Sequence, residues 1–191
     1  GTFILGIQQL LIGVAIGFVS MMVLNTFVLA GQIIAMQTGL GFASIVDPVN
    51  GINVPAVGQF YLILATLLFW TLDGHLAMIH MIVLSFHAFP IGEAWWTGEQ
   101  FREIAHWGGW MFISAITLSL APIVSLLIVN LAFGVMTKAA PQLNIFSIGF
   151  SIAQVMGLLI IWITLDNFTA HFETQWLRAE QFMCQLLRIC P

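Results

Sequence analysis

The chain has 191 residues, of which 60% are hydrophobic and only 6% are charged, with four basic and eight acidic side chains and a net charge of −4. A soluble domain of this size carries about 25% charged residues, and twelve charges cannot cover its core, so lipid or protein must cover most of the surface. No basic stripe of the kind nucleic acid needs is present, and Cys184 and Cys190 are too few for a disulfide scaffold and match no metal motif.

In chain order, residues 2–38 form one long apolar helix free of charge. At 1.5 Å per residue it exceeds the roughly 30 Å hydrocarbon layer, so it must tilt, kink or project beyond the membrane. Gly13 and Gly17 make a small-x-x-x-small pair, repeated by Gly31 and Ala35, of the kind that lets helix backbones approach in lipid. Gln8, Gln9, Asn25, Gln32 and Gln37 add amides that should face other helices or a cavity, because an unpaired amide in hydrocarbon is costly.

Residues 39–55 break the helix with Gly39, Gly41, Asp47, Pro48, Asn50, Gly51, Asn53 and Pro55, all turn formers. The same stretch carries Phe42, Ile45, Val46 and Ile52. An apolar irregular loop at membrane depth is tolerated only where protein buries it or a cavity adjoins it. Residues 56–89 read as a broken helix or hairpin, interrupted near Asp73-Gly74-His75. Residues 90–107 read as a polar loop flanked by Trp95, Trp96, Trp107 and Trp110, as in an interfacial aromatic belt.

A helix follows at 108–136 with Pro122 in its interior, which should kink it. Residues 137–144 read as a turn, with Pro141 as a stop and Asn144 as an N-cap for the helix at 145–165. The tail, 166–191, is amphipathic, with Phe168, Phe172, Trp176, Ala179, Met183 and Leu187 on one face. It suits either a membrane surface or a partner. Basic residues divide three to one in favour of the tail side, which points to that side as cytoplasmic. The fold class is therefore all-α: a polytopic membrane protein of long, kinked helices and helical hairpins, in a single domain, 1–191.

Candidate chemistry is sparse. His80 and His87 share a helix face but His75 does not, and no cysteine or carboxylate completes a metal set. Asp73 and Asp166 sit at helix ends, where interfacial or capping roles explain them better than a catalytic dyad or proton relay. No serine-hydrolase elbow, nucleotide loop or zinc-protease motif occurs. Neither a catalytic residue nor a metal or cofactor is expected.

Two segments go beyond generic membrane sequence. One is Gly39-Leu-Gly-Phe-Ala-Ser-Ile-Val-Asp-Pro48, followed by Phe69, Gly74-His75, Ser85-Phe86 and Pro90-Ile-Gly92. The other is Lys138-Ala-Ala-Pro-Gln-Leu-Asn144-Ile-Phe, then Ile148-Gly149-Phe150. In order and spacing they resemble the FliR family of type III export-gate proteins, called SctT in injectisomes, over nearly the whole chain. The chain departs from the family pattern at Gln9, where a Glu is expected, and at Lys138, where an Arg is expected. About the first quarter of the family's length has no counterpart here.

The resemblance implies a core subunit of the flagellar protein export gate and not an enzyme. It implies a helical multi-subunit assembly with FliP-type and FliQ-type membrane subunits and an FlhB-type partner, through which unfolded export substrates pass. The implied place is the bacterial inner membrane within the flagellar basal body, with the gate partly on the periplasmic side. It also implies a pore plug, here Gly39, Gly41, Phe42, Ile45, Val46, Asp47, Pro48, Gly51 and Ile52. Gly13, Gly17, Lys138, Pro141, Gln142 and Asn144 would serve subunit packing and the turn between the last long helices. The alternatives are a small-solute membrane transporter and an injectisome homologue of the same gate.

Overall fold

A computed structural model describes residues 2–46, 53–89, 97–139 and 145–189. Six helices make up nearly all of it: α1 (Thr2–Thr38), α2 (Ala56–Thr71), α3 (Gly74–Ala88), α4 (Gly98–Ala139), α5 (Ile145–Leu165) and α6 (Phe168–Leu186). Between α1 and α2 lie a 3-10 turn, Leu40–Phe42, and two three-residue strands, β1 (Ser44–Val46) and β2 (Asn53–Pro55). The chain is thus all-α apart from this small ribbon.

The order has a simple rhythm. A long helix, α1, is followed by a pair, α2 and α3, bent by 64°; a second long helix, α4, is followed by a pair, α5 and α6, bent by 59°. The long helices are each apolar enough to cross a membrane, and each bent pair passes the same test taken together, so the described residues hold two to four candidate spans by length and composition. With 37 and 42 residues, α1 and α4 reach about 55 and 63 Å, well beyond a hydrocarbon layer of about 30 Å.

Asp73 and Asp166 occupy the two bends, and both are exposed. Asp73 takes a left-handed conformation at φ 56°, which costs an L-residue of order 1–2 kcal/mol. Gly74 beside it is buried, and any β-carbon there would fall 2.5 Å from the Phe69 ring. Only glycine allows α3 to turn so sharply off the end of α2.

Helix α1 is the axis of the fold. It packs most extensively on α4 and α2 and touches α3, α5 and α6 as well. Small residues set the two main contacts. A β-carbon on Gly31 would come within 2.8 Å of the Gly58 Cα, so α1 and α2 meet backbone to backbone. On α4 the buried face is Ala115, Ser119, Pro122 and Leu126, spaced by four, three and four residues as a helix seam requires. The Ser119 hydroxyl is satisfied by donating to the Ala115 carbonyl at 2.8 Å.

The amphipathic tail becomes α6, and its apolar face neither lies open for a membrane surface nor waits for a partner. It folds back on its own chain. Phe168, Phe172, Trp176, Ala179, Met183 and Leu186 are all buried, in one cluster with Ile16, Val19, Val23 and Phe27 of α1 and Tyr61 of α2. Near its end Cys184 is disulfide-bonded rather than a plain thiol.

The stretch expected as a polar loop is helical from Gly98 onward, so α4 starts ten residues before the position its apolar run suggests. Its first turns are polar because they carry Glu99, Arg102 and Glu103, not because the chain is irregular. The start carries one half of a capping box: the Thr97 N–H donates to Gln100 Oε1 at 2.8 Å, and the Thr97 hydroxyl donates to the same oxygen. The pattern Thr97-Gly-Glu-Gln100 is a legible helix start.

Phe172→Ala should cost about 3–5 kcal/mol, as for other fully buried aromatics, and lower the melting temperature of the purified protein. Leu177→Ala, on the exposed face of the same helix, should stay within about 0.5 kcal/mol. Equal melting shifts would contradict the inward packing of α6.

Candidate gating segment

The glycine-rich break begins at the end of α1 and is held from two sides. Gly39 has φ 74° and closes the helix in the left-handed conformation that favours glycine. A β-carbon there would also lie 2.6 Å from the Phe150 ring of α5. One residue earlier, Thr38 is buried against Gly157, where an added β-carbon would meet the Thr38 Cβ at 2.7 Å. The end of α1 is therefore clamped on α5 through two glycine contacts, one on each helix.

Beyond the clamp the tethers thin out. The Ala43 N–H donates to the Leu40 carbonyl at 3.0 Å, closing the 3-10 turn. The strands pair antiparallel with Ser44 opposite Pro55, Ile45 opposite Val54 and Val46 opposite Asn53. The Ala56 N–H donates to the Ala43 carbonyl at 2.8 Å, tying the ribbon's base to the start of α2. Ala43 and Ser44 are exposed. A two-stranded ribbon of this size is marginal by itself, so the segment is positioned but weakly held.

Two cavities flank the base of the ribbon. One, of about 400 Å³, lies between the end of α1, the last third of α4 and the start of α5, lined among others by Gln37, Gly39, Asn130, Phe133 and Phe150. The other, of about 370 Å³, is wholly apolar, lined by Leu40, Ala56, Val57, Phe60, Ile161 and Trp162 among others.

The residues expected in the plug divide as follows. Gly39 and Gly41 form the turn, and a β-carbon on Gly41 would meet only ordinary contacts at 3.5 Å and beyond. Phe42 ends the 3-10 turn, and Ile45 and Val46 lie in β1. Asp47, Pro48, Gly51 and Ile52 lie outside the described residues. Among the packing residues, Gly13 is exposed and Gly17 half-buried, and a β-carbon on either would meet nothing in this chain. Gly31 and Gly58 make the close helix contact instead. Lys138 is exposed in the last turn of α4, where a cation also complements the helix dipole. Pro141, Gln142 and Asn144 lie outside the described residues.

Sequence reasoning missed the clamp. Phe150 stands within the Ile148-Gly149-Phe150 motif, but nothing local says that its ring meets Gly39, more than a hundred residues away. The unpartnered polar atoms were partly visible: the side-chain nitrogens of Gln8 and Gln9 are buried without a hydrogen-bond partner among the described residues, on the helix where amides were expected to need one. His80 and His87 are exposed, and among the described residues no three metal-ligating side chains converge.

Long apolar helices and bent helix pairs define a polytopic, all-helical integral-membrane protein. Its sequence matches the family described as bacterial export proteins, family 1, over residues 1–179, and the chain belongs to that family. It is similar to the flagellar biosynthetic protein FliR of Pectobacterium carotovorum subsp. carotovorum, at 41% identity over 83% of this chain and 61% of the relative. It is 39% identical to FliR of Escherichia coli K12 over 82% of this chain and 60% of that one. FliR of Bacillus subtilis is 28% identical over 85% of this chain and 64% of that protein. The chain thus spans about 60% of the length of the first two.

Gly39→Ala should destabilise the protein twice over, through the left-handed backbone, of order 1 kcal/mol, and through the Phe150 ring. Adding Phe150→Ala should relieve the second part only. Gly13→Ala should leave the melting temperature of the isolated chain unchanged. If Gly39→Ala behaves like Gly13→Ala, the clamp is not what holds the end of α1.

Proposed function

We propose that the protein is a core subunit of the flagellar type III protein export gate and that residues 39–55 plug the channel through which unfolded flagellar proteins leave the cell. Family membership and the names of its relatives support the export reading. The observation that carries the plug is the small two-stranded ribbon of apolar sequence, pinned at Gly39 and with a cavity on either side of its base. An idle gate must block ions and protons, and apolar constrictions do so by dewetting. Gly39, Gly41 and Gly51 give the backbone freedom to swing, and Phe42, Ile45, Val46 and Ile52 supply the seal. Asp47-Pro48 would fix a local turn.

In this reading the protein is not an enzyme. It sits in the bacterial inner membrane, in a flagellar basal body, beside FliP-type and FliQ-type subunits and an FlhB-type partner. Two features support a surrounding assembly. Helices of about 55 and 63 Å overreach the hydrocarbon layer, which suits a gate that rises to the periplasmic side. Gln8 is buried yet its amide nitrogen has no hydrogen-bond partner among the described residues, a costly arrangement in lipid that a neighbouring subunit would relieve. Gly13 and Gly17, where an added β-carbon would meet nothing within 4 Å among the described residues, would seat a neighbouring helix, and Lys138, Pro141, Gln142 and Asn144 would fix the α4–α5 turn against another subunit.

Deleting Phe42–Ile52 should leave assembly intact and make cells leaky to small ions, read as a rise in membrane conductance. Unchanged conductance in an assembled deletion would sink the plug. Gln142→Ala and Asn144→Ala should each lower the yield of the purified complex; normal yield from both would remove their role in the turn.

A further inference from the structure

Two amides stand in apolar sequence that gives them nothing to pair with. Gln37 lies one residue from the end of α1, and Asn130 lies in the part of α4, Ile104 to Thr137, that holds no Asp, Glu, Lys or Arg. Both residues are exposed, and among the described residues neither side chain has a hydrogen-bond partner. An amide left against hydrocarbon is costly. The two meet in one place: both line the cavity of about 400 Å³ at the base of the ribbon, with Phe133, Gly134, Thr137 and Phe150 among its other walls.

The lining selects the occupant. No ionisable side chain is among the lining residues, so nothing there attracts an ion or a charged lipid headgroup. An acyl chain would leave both amides unpaired. A helix of another subunit would bring backbone groups already bonded within that helix. An extended polypeptide brings a free N–H and C=O with nearly every residue, and a side-chain amide, both donor and acceptor, can pair with either. A β-carbon added to Gly134 would meet nothing within 4 Å, so bare backbone is open there to the close approach of another chain. Phe133 and Phe150 offer apolar faces to its side chains.

We propose that this cavity binds an unfolded polypeptide in extended form through its backbone, with Gln37 and Asn130 pairing its peptide groups. The inference rests on the export reading above and adds to it where a passing chain is held. It also explains how chains of any sequence can be held, since all share the peptide group. Gly39 and Phe150 line the same cavity, so the occupant touches the contact that closes α1.

The test uses the full-length protein in the assembled apparatus of living cells. Two export substrates of unrelated sequence are each stalled by a folded domain fused to the C-terminus. A photo-activatable residue in place of Gln37 or Asn130 should give adducts with both stalled chains. The same residue in place of Leu120, exposed on α4 and outside the cavity lining, should give none. Gln37→Met and Asn130→Leu keep side-chain size and remove the amides; together they should slow export of both substrates by roughly tenfold, the scale of two hydrogen bonds, at unchanged yield of the complex. Adducts with lipid or another membrane subunit alone, adducts with only one of the two substrates, equal adducts at Leu120, or an unchanged export rate in the double variant would each overturn the assignment. A stalled chain that is captured from Phe42 of the ribbon but from neither amide position overturns this site and leaves the export reading standing. Failure of the full-length protein to restore export to cells that lack it overturns both.

Discussion

Phe27 of α1 is fully buried where three helices converge. Its ring lies 4.9 Å from Phe168 and 5.6 Å from Phe172 of α6, and Phe168 meets Tyr61 of α2 edge-on at 5.3 Å. Further along, Phe69 of α2 meets Trp176 of α6 at 5.0 Å. Aromatic pairs in these geometries add about 0.5–1.5 kcal/mol each beyond their buried area. This seam fixes α2 and α6 on α1 at the same level. The two bends at Asp73 and Asp166 then follow, because α3 and α5 must leave that level in other directions.

The contrast between this seam and the gating segment gives the molecule its character. Backbone-to-backbone packing at Gly31 and Gly58, the small face of α4 and the aromatic seam make a stiff frame. In a well-packed interior there is little room for graded deformation. Among the described residues the ribbon after Gly39 has three paired residues on each strand and one backbone hydrogen bond from the start of α2. The Gly39–Phe150 contact lies at the boundary between this frame and the ribbon, and the proposed plug would draw on that contrast.

Legibility in the sequence followed the range of the forces involved. Composition and the long uncharged runs establish an all-α membrane protein, because they reflect solvent and lipid directly. Proline and glycine at 39–55 mark a break because turn chemistry is local. The small ribbon there escaped notice because three-residue strands are too short for a period to show. The start of α4 was hidden because Glu99, Arg102 and Glu103 read as loop polarity, although Thr97 and Gln100 carried a capping signal. The fate of α6 was beyond reach: an amphipathic face states that something covers it and not what. Likewise Gly13 and Gly17 share the spacing of a helix contact with Gly31 and Ala35, yet among the described residues Gly31 and Ala35 are packed while an added β-carbon on Gly13 or Gly17 would meet nothing within 4 Å. The motif segments carried the family resemblance, and with it the gate reading, where physical pattern alone gave only a polytopic membrane protein.

The central claim is that this chain is one part of a protein assembly, so that other subunits, not lipid, cover the outward face of α1. Val14, exposed beside Gly13, is the place to ask. A photo-activatable residue at position 14 of the full-length protein, in cells making the whole flagellar membrane apparatus, should give discrete adducts with a different helical membrane polypeptide. Adducts with lipid alone, under conditions in which flagella assemble, would contradict the account.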